Sequence, residues 1–239
     1  CYECAPKATQ KQYPICTIRS TPDKPVHCIV WAKEFFKLMF GEVTESMLYE
    51  DPSTGEESTY MNQVNNRPGP DATPEEVTAY AQGVMCSIFT AEIEKKIGMN
   101  KYKGATRKPA PIDAATIKAV CSTAMAKQGE QGARQPGWDR AKWGTEESIK
   151  ELLSCVHEVF RSKSLREMVG SLTFDKDDRL SMGFVTAACN LRSIVFHIDL
   201  QSYYEAKGIA GNIIPAIATT NAIIAGLQVT QALKILDAK

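Results

Sequence analysis

The chain has 239 residues, 44% of them hydrophobic and 23% charged, which are the proportions of a soluble globular fold with room for one large domain or two smaller ones. Twenty-eight basic residues balance 28 acidic ones, so no net field argues for nucleic acid or a membrane surface as partner. Eight cysteines are scattered at positions 1, 4, 16, 28, 86, 121, 155 and 189, which excludes a small disulfide-stapled scaffold; several sit in apolar runs and read as buried thiols of a reducing compartment. The start at Cys1, inside a motif, is what a piece of a longer protein would show.

Residues 1–22 lack helical periodicity and carry the first three cysteines, so a loop is expected there. Pro25 near the start and Gly41 just past the end bracket a helix over His27 to Phe40, apolar over most of its surface. The polar stretch 42–72 reads as a mobile insertion. Thr73-Pro74-Glu75-Glu76 is a capping-box opening, and the helix it starts should run to about Ile97 and stop at Gly98. A basic loop over 102–111 leads to a weaker helix, Ile112 to Ala126, with Asp113 as its cap. Residues 128–143, rich in Gly, Gln and Arg, read as a second mobile insertion. Thr145 to Lys163 is strongly amphipathic, with Ile149, Leu152, Leu153, Val156, Val159 and Phe160 on one face. An acidic loop, 172–178, precedes a helix from Ser181 to Phe196; 201–211 is a connector; and Pro215 to Leu236 is a last helix. Its Thr219, Thr220, Asn221, Gln228, Gln231 and Lys234 suit a buried core helix better than a membrane span. The fold class expected is mainly α, helices joined by mobile loops.

Three features invite chemistry. The Cys1-Tyr-Glu-Cys4 spacing lets two thiolates reach one zinc ion, but there is no second CxxC and no histidine at matching spacing, so half a zinc site, a redox pair and no chemistry all stay open. Cys16, in Tyr13-Pro-Ile-Cys16-Thr-Ile-Arg19, has a helix start and a guanidinium close by, both of which favour a thiolate; composition does not separate a nucleophile from a packed loop cysteine. His27 is the one histidine near Cys16 in sequence, too little for a papain-like dyad. The run Asp175-Lys-Asp-Asp178 is not an EF-hand loop, since Leu180 and Thr186 stand where glycine and glutamate are needed, and a capping loop is the better account. No glycine-rich phosphate loop is present.

Taken together, Cys1-Tyr-Glu-Cys4, Pro14-Ile-Cys16-Thr-Ile-Arg19, the run 25–33 (Pro-Val-His-Cys-Ile-Val-Trp-Ala-Lys), Phe174 to Asp178, Phe184 to Arg192 and the run 210–222 resemble, in order, the catalytic-cysteine region of SUMO-activating enzymes. The resemblance implies three parts: a catalytic-cysteine loop with half a zinc motif (1–22), a helical catalytic-cysteine domain (23–209), and a re-entry segment and helix of the α/β adenylation domain (210–239). By it Cys16 would form the thioester, with Thr17 and His27 as supporting residues, while Cys1 and Cys4 would supply two zinc ligands, the other two lying outside the chain. Ser20 departs from the asparagine usual after Cys-Thr-Ile-Arg. ATP and magnesium would serve the whole enzyme only, so this stretch alone is not expected to adenylate. SUMO, the SUMO-conjugating enzyme and the smaller subunit of a heterodimer are the partners implied, in the nucleus and cytoplasm, mostly the nucleus. A noncatalytic zinc-linked interaction module and the NEDD8- or ubiquitin-activating branch are the rival readings.

Overall fold

Pro25 and Gly41 bound helix α2 (Pro25–Phe40), two residues longer at its start than the sequence pattern suggests. The computed structural model describes residues 13–50, 59–105, 107–126, 137–212 and 217–237. Ten residues of α2 are buried, as befits a helix apolar on most sides. It packs on α9 (Arg179–Phe196), which in turn packs on α7 (Thr145–Arg161), and these three form the centre of the fold. All six apolar positions read from the α7 pattern are buried. Phe35, Phe36, Phe40 and Phe184 fill the α2–α9 interface, with ring centroids of the first three 5.1–5.5 Å from that of Phe184. Two glycines permit the close approaches this core requires. A Cβ at Gly183 would lie 2.8 Å from Glu151 Oε1 and 3.4 Å from Cys155 Sγ on α7. At Gly41 it would lie 2.8 Å from the carbonyl oxygen of Leu172, where the 168–172 segment crosses the end of α2.

The capping box at Thr73 is formed in both directions: Glu76 N–H donates to Thr73 Oγ1 (3.2 Å) and Thr73 N–H to Glu76 Oε2 (2.7 Å). The helix it opens is α4 (Pro74–Cys86), continued through a π-helical turn (Ser87–Ala91) into α5 (Glu92–Gly98). That turn has a local cause. Phe89 C=O accepts from Ile112 N–H (3.0 Å), and Thr90 Oγ1 donates to Ile112 C=O, so the widened turn serves the neighbouring chain. Helix α6 (Ala114–Ala126) begins where Asp113 accepts from Thr116 N–H (3.1 Å), and α9 where Asp178 accepts from Ser181 N–H (2.8 Å), confirming both cap readings.

Several expectations need correction. The described parts of 42–72 are packed: they hold the short helix α3 (Met61–Asn65), bury Leu48, Tyr60, Met61 and Val64, and tie Tyr60 Oη to Leu48 C=O (2.6 Å). Residues 51–58 lie outside the described residues. Within 128–143 the described part, 137–143, is held by stacked rings: Trp138 lies 4.8 Å from both Trp143 and Tyr203, and Trp143 is 3% exposed. Three aromatic rings outweigh a composition that otherwise favours solvent. Residues 127–136 are outside the described set. A short helix follows α7, α8 (Lys163–Glu167), and the connector 201–211 contains α10 (Tyr203–Ala210), opened by a second capping box, Ser202 with Glu205. Among the described residues the isolated β-bridge is Lys142 with Ser202.

The last helix, α11 (Ala218–Asp237), buries no residue; Leu227, Val229 and Leu233 are 55%, 60% and 55% exposed. It is not the buried core helix that its hydrophobicity suggested, because no described element covers it. Hydrophobicity says that a face prefers burial, not which surface buries it. Among the described residues no helix is long and apolar enough to cross a membrane.

Candidate active site

Cys16 stands on a helix, not in the loop expected for 1–22. Helix α1 (Ile15–Arg19) begins after Pro14, whose carbonyl accepts from Thr17 N–H (3.0 Å) and Ile18 N–H (3.1 Å). Proline pre-sets the backbone for entry, and Ile18, 0% exposed, pins the turn to the core. Ile15 (59% exposed) and Cys16 point outward. Among the described residues Cys16 is the exposed cysteine; Cys28, Cys121, Cys155 and Cys189 are buried and Cys86 half-buried. Burial pushes the thiols of Cys28, Cys86 and Cys189 up, and that of Cys121 up to about 11, so these stay protonated and unreactive at neutral pH.

The carbonyl end of α1 is gripped from three directions. Arg192 Nη2, on α9, donates to the carbonyls of Ile18 (2.7 Å) and Arg19 (3.0 Å). Lys96 Nζ, on α5, donates to Arg19 C=O (3.2 Å), and Tyr102 Oη to Ser20 C=O (3.0 Å). These are the carbonyls a helix leaves without internal partners, and two cations sit at the negative end of its dipole. The guanidinium of Arg192 lies between the rings of Trp31 (4.4 Å) and Phe196 (4.9 Å). Burial lowers its pKa to about 10, with the acidic groups around it opposing that fall, and it remains a cation at neutral pH. Burial also lowers the Lys96 ammonium, against which Glu92 at 2.9 Å works. Glu92 further accepts from Thr59 Oγ1, and Arg19 is paired with Glu50 at 2.6 Å. Between these groups lies a cavity of about 20 Å³, lined by Arg19, Trp31, Tyr60, Glu92, Lys96 and Arg192, which is room for about one water.

The other residues singled out in the sequence fall differently. Thr17 is beside Cys16, half-buried, its carbonyl accepting from Thr21 N–H (3.2 Å). His27 is 5% exposed on α2; its Nδ1 lies 2.8 Å from Asp23 Oδ1, and its ring meets Tyr13 edge-on at 4.7 Å. Its imidazole is thus engaged by Asp23 and Tyr13, and no hydrogen bond joins it to Cys16 among the described residues. Cys1 and Cys4 lie outside the described residues, and among the rest no three metal-binding side chains converge. Sequence reasoning missed Arg192, Lys96 and Tyr102. One signal was available for the first: a lone arginine near the end of the apolar run 180–191.

Comparison with known proteins now adds to this geometry. Residues 75–207 match the family described as ubiquitin-activating enzyme, SCCH domain. The chain is similar to SUMO-activating enzyme subunit 2 of Dictyostelium discoideum, at 33% identity over 100% of this chain and 37% of that protein. It is 35% identical to SUMO-activating enzyme subunit uba-2 of Caenorhabditis elegans, over 99% of this chain and 42% of the relative. Against the ubiquitin-activating enzyme E1-like protein of Saccharomyces cerevisiae the identity is 33%, over 99% and 36%. The chain therefore spans about two-fifths of the length of these relatives.

Proposed function

The chain belongs to the SCCH-domain family of ubiquitin-activating enzymes, and from that premise we propose that it is the thioester-forming part of a SUMO-activating enzyme, with Cys16 as the nucleophile. The observation that carries the reading is the contrast among the thiols of the described residues: one exposed cysteine on an anchored helix, beside buried or half-buried ones. In the complete enzyme the modifier's terminal carboxylate is first joined to AMP, with ATP and magnesium serving that half. Cys16 Sγ then attacks the acyl carbon; the sulfur–carbon bond forms, the bond from that carbon to the phosphate oxygen breaks, and AMP leaves. The thiol proton passes to solvent. A thioester results, which the cysteine of the conjugating enzyme accepts in a second exchange of sulfur for sulfur.

Because the adenylate is already activated, no dedicated base is required at Cys16, in keeping with His27 being engaged by Asp23 and Tyr13. Thr17 and His27 act as supports of the α1 turn in this reading. Cys1 and Cys4 supply half of a zinc site completed by ligands beyond this sequence. Helix α11 belongs to the adenylation half, whose surface covers its apolar side chains. SUMO, the conjugating enzyme and a smaller subunit are the partners, and a predominantly nuclear location goes with them.

Intact-mass measurement tests the reading. The complete heterodimer with SUMO and ATP should gain a reducible adduct that peptide mapping places on Cys16. Cys16→Ala should abolish it while leaving pyrophosphate exchange intact, and Cys16→Ser should give at most a slowly exchanging oxyester. An adduct that survives in Cys16→Ala would refute the assignment.

A further inference from the structure

We propose that Arg192, assisted by Lys96 and Tyr102, is the positioning group for Cys16, fixing the nucleophile by holding the main chain that follows it. This rests on the reading of Cys16 as the thioester-forming residue. A five-residue helix is far below the length, roughly 12–15 residues, at which helices hold in water, and α1 has no side-chain cap at its start. Its conformation must come from outside. Ile18 supplies one anchor by burial. The others are the donors to the carbonyls of Ile18, Arg19 and Ser20, from residues 77 to 174 positions away.

Arg192 is the member whose presence stability alone does not explain. It is 4% exposed, and among the described residues its Nε has no hydrogen-bond partner. An apolar residue of similar size in such a place is commonly neutral or stabilising by comparison with a buried charge. What the guanidinium provides is aim: held between the rings of Trp31 and Phe196, it directs Nη2 at two successive carbonyls. The nearer of these lies two residues beyond Cys16. The hydrogen-bonded anchors all meet the backbone, Ile18 anchors by burial, and none of them meets Sγ, so the thiol stays open to an acyl group while its Cα is tied to the core. Reactions between groups held for close approach are steep in geometry, with a misplacement of about 1 Å costing on the order of 100-fold.

The experiment uses the complete heterodimeric enzyme with SUMO and ATP, comparing Arg192→Gln, Arg192→Lys and Tyr102→Phe with wild type. Three quantities are read: pyrophosphate exchange, the single-turnover rate constant for thioester formation at saturating modifier, and amide exchange over residues 16–21 against that of α7 and α9. Arg192→Gln should keep pyrophosphate exchange at the wild-type rate, slow thioester formation about 10- to 100-fold, and speed amide exchange in 16–21 with α7 unchanged. Arg192→Lys, which keeps a cationic donor without the fork, should recover part of the rate. Tyr102→Phe removes one hydroxyl and should slow the step about 2- to 5-fold; if Arg192→Gln does not fold, Tyr102→Phe and Arg192→Lys decide. Thioester rates within twofold of wild type in the folded variants, or slowing with no faster exchange in 16–21, would overturn the proposal. A wild-type enzyme that makes adenylate but carries no adduct on Cys16 would instead sink the parent reading.

Discussion

Replacing Phe184 by alanine should remove about 4–5 kcal/mol of folding stability. Phe184 is fully buried on α9, its ring 5.1, 5.5 and 5.3 Å from those of Phe35, Phe36 and Phe40. Truncating a buried phenylalanine costs about 3–5 kcal/mol, as lost transfer energy plus a cavity that closes only in part. The three tilted or edge-on ring contacts, each worth about 0.5–1.5 kcal/mol beyond area burial, push this case toward the upper end. Collapse around the gap is hindered as well, because Gly183 already brings α9 close against Glu151 and Cys155 of α7. With a urea slope of about 2 kcal/mol/M, the unfolding midpoint should fall by about 2 M at unchanged slope. A thermal scan should show a drop of about 10–20 °C. Phe184→Leu, which keeps part of the volume, should fall between. A midpoint shift below about 0.5 M for Phe184→Ala would mean that the α2–α9 aromatic contact does not hold the centre of the fold.

Three further outcomes are expected. Thr73→Ala removes one arm of a capping box and should cost about 1 kcal/mol in urea titration, without altering the slope. His157 is buried with Nε2 2.8 Å from Thr78 Oγ1, and burial first, then Arg161, lower its pKa against the pull of Glu75. The unfolded chain therefore takes up that proton first: stability is unaffected above about pH 6.5 and declines as pH falls below it, until the folded-state pKa is passed. Unfolding free energies measured between pH 7.5 and 5.5 should show this slope diminished in His157→Gln; an equal slope in both would refute the attribution. Leu227→Gln or Leu233→Gln on α11 should change the stability of this chain by less than about 0.5 kcal/mol, since both side chains are more than half exposed.

The five long helices of the core region were legible because each carries its own punctuation. Pro25 and Gly41 bracket α2, Thr73 and Glu76 open α4, Asp113 and Asp178 cap α6 and α9, and the apolar spacing of α7 sets its buried face. Ser202 and Glu205 carry the same punctuation, and reading them would have turned the 201–211 connector into α10. What stayed illegible depends on contacts distant in sequence. Tyr60 reaches Leu48 across a polar stretch, and Trp138 and Trp143 are held by Tyr203 some sixty residues on. The site divides in the same way. Spacing alone left Cys16 open between nucleophile and packed thiol, and the ordered set of motifs around it carries the resemblance on which its proposed role rests. Beyond the lone Arg192 after an apolar run, the grip on α1 had no sequence signature, because Arg192, Lys96 and Tyr102 bind carbonyl oxygens, which every residue possesses.

That choice of acceptor has a consequence for a thioester relay. In the proposed relay the sulfur would have to meet an acyl carbon brought by one domain and lose it to another protein, so side-chain contacts that fixed Sγ would have to be broken twice per turnover. Anchoring the main chain instead restrains the Cα of Cys16 while leaving Sγ exposed. The restraint also passes directly to the core, since α9 carries both Phe184 at its centre and Arg192 near its end. Packing and positioning are then separable by mutation: a change at Phe184 acts on whether the domain folds, and a change at Tyr102 or Arg192 acts on where the folded domain holds its cysteine.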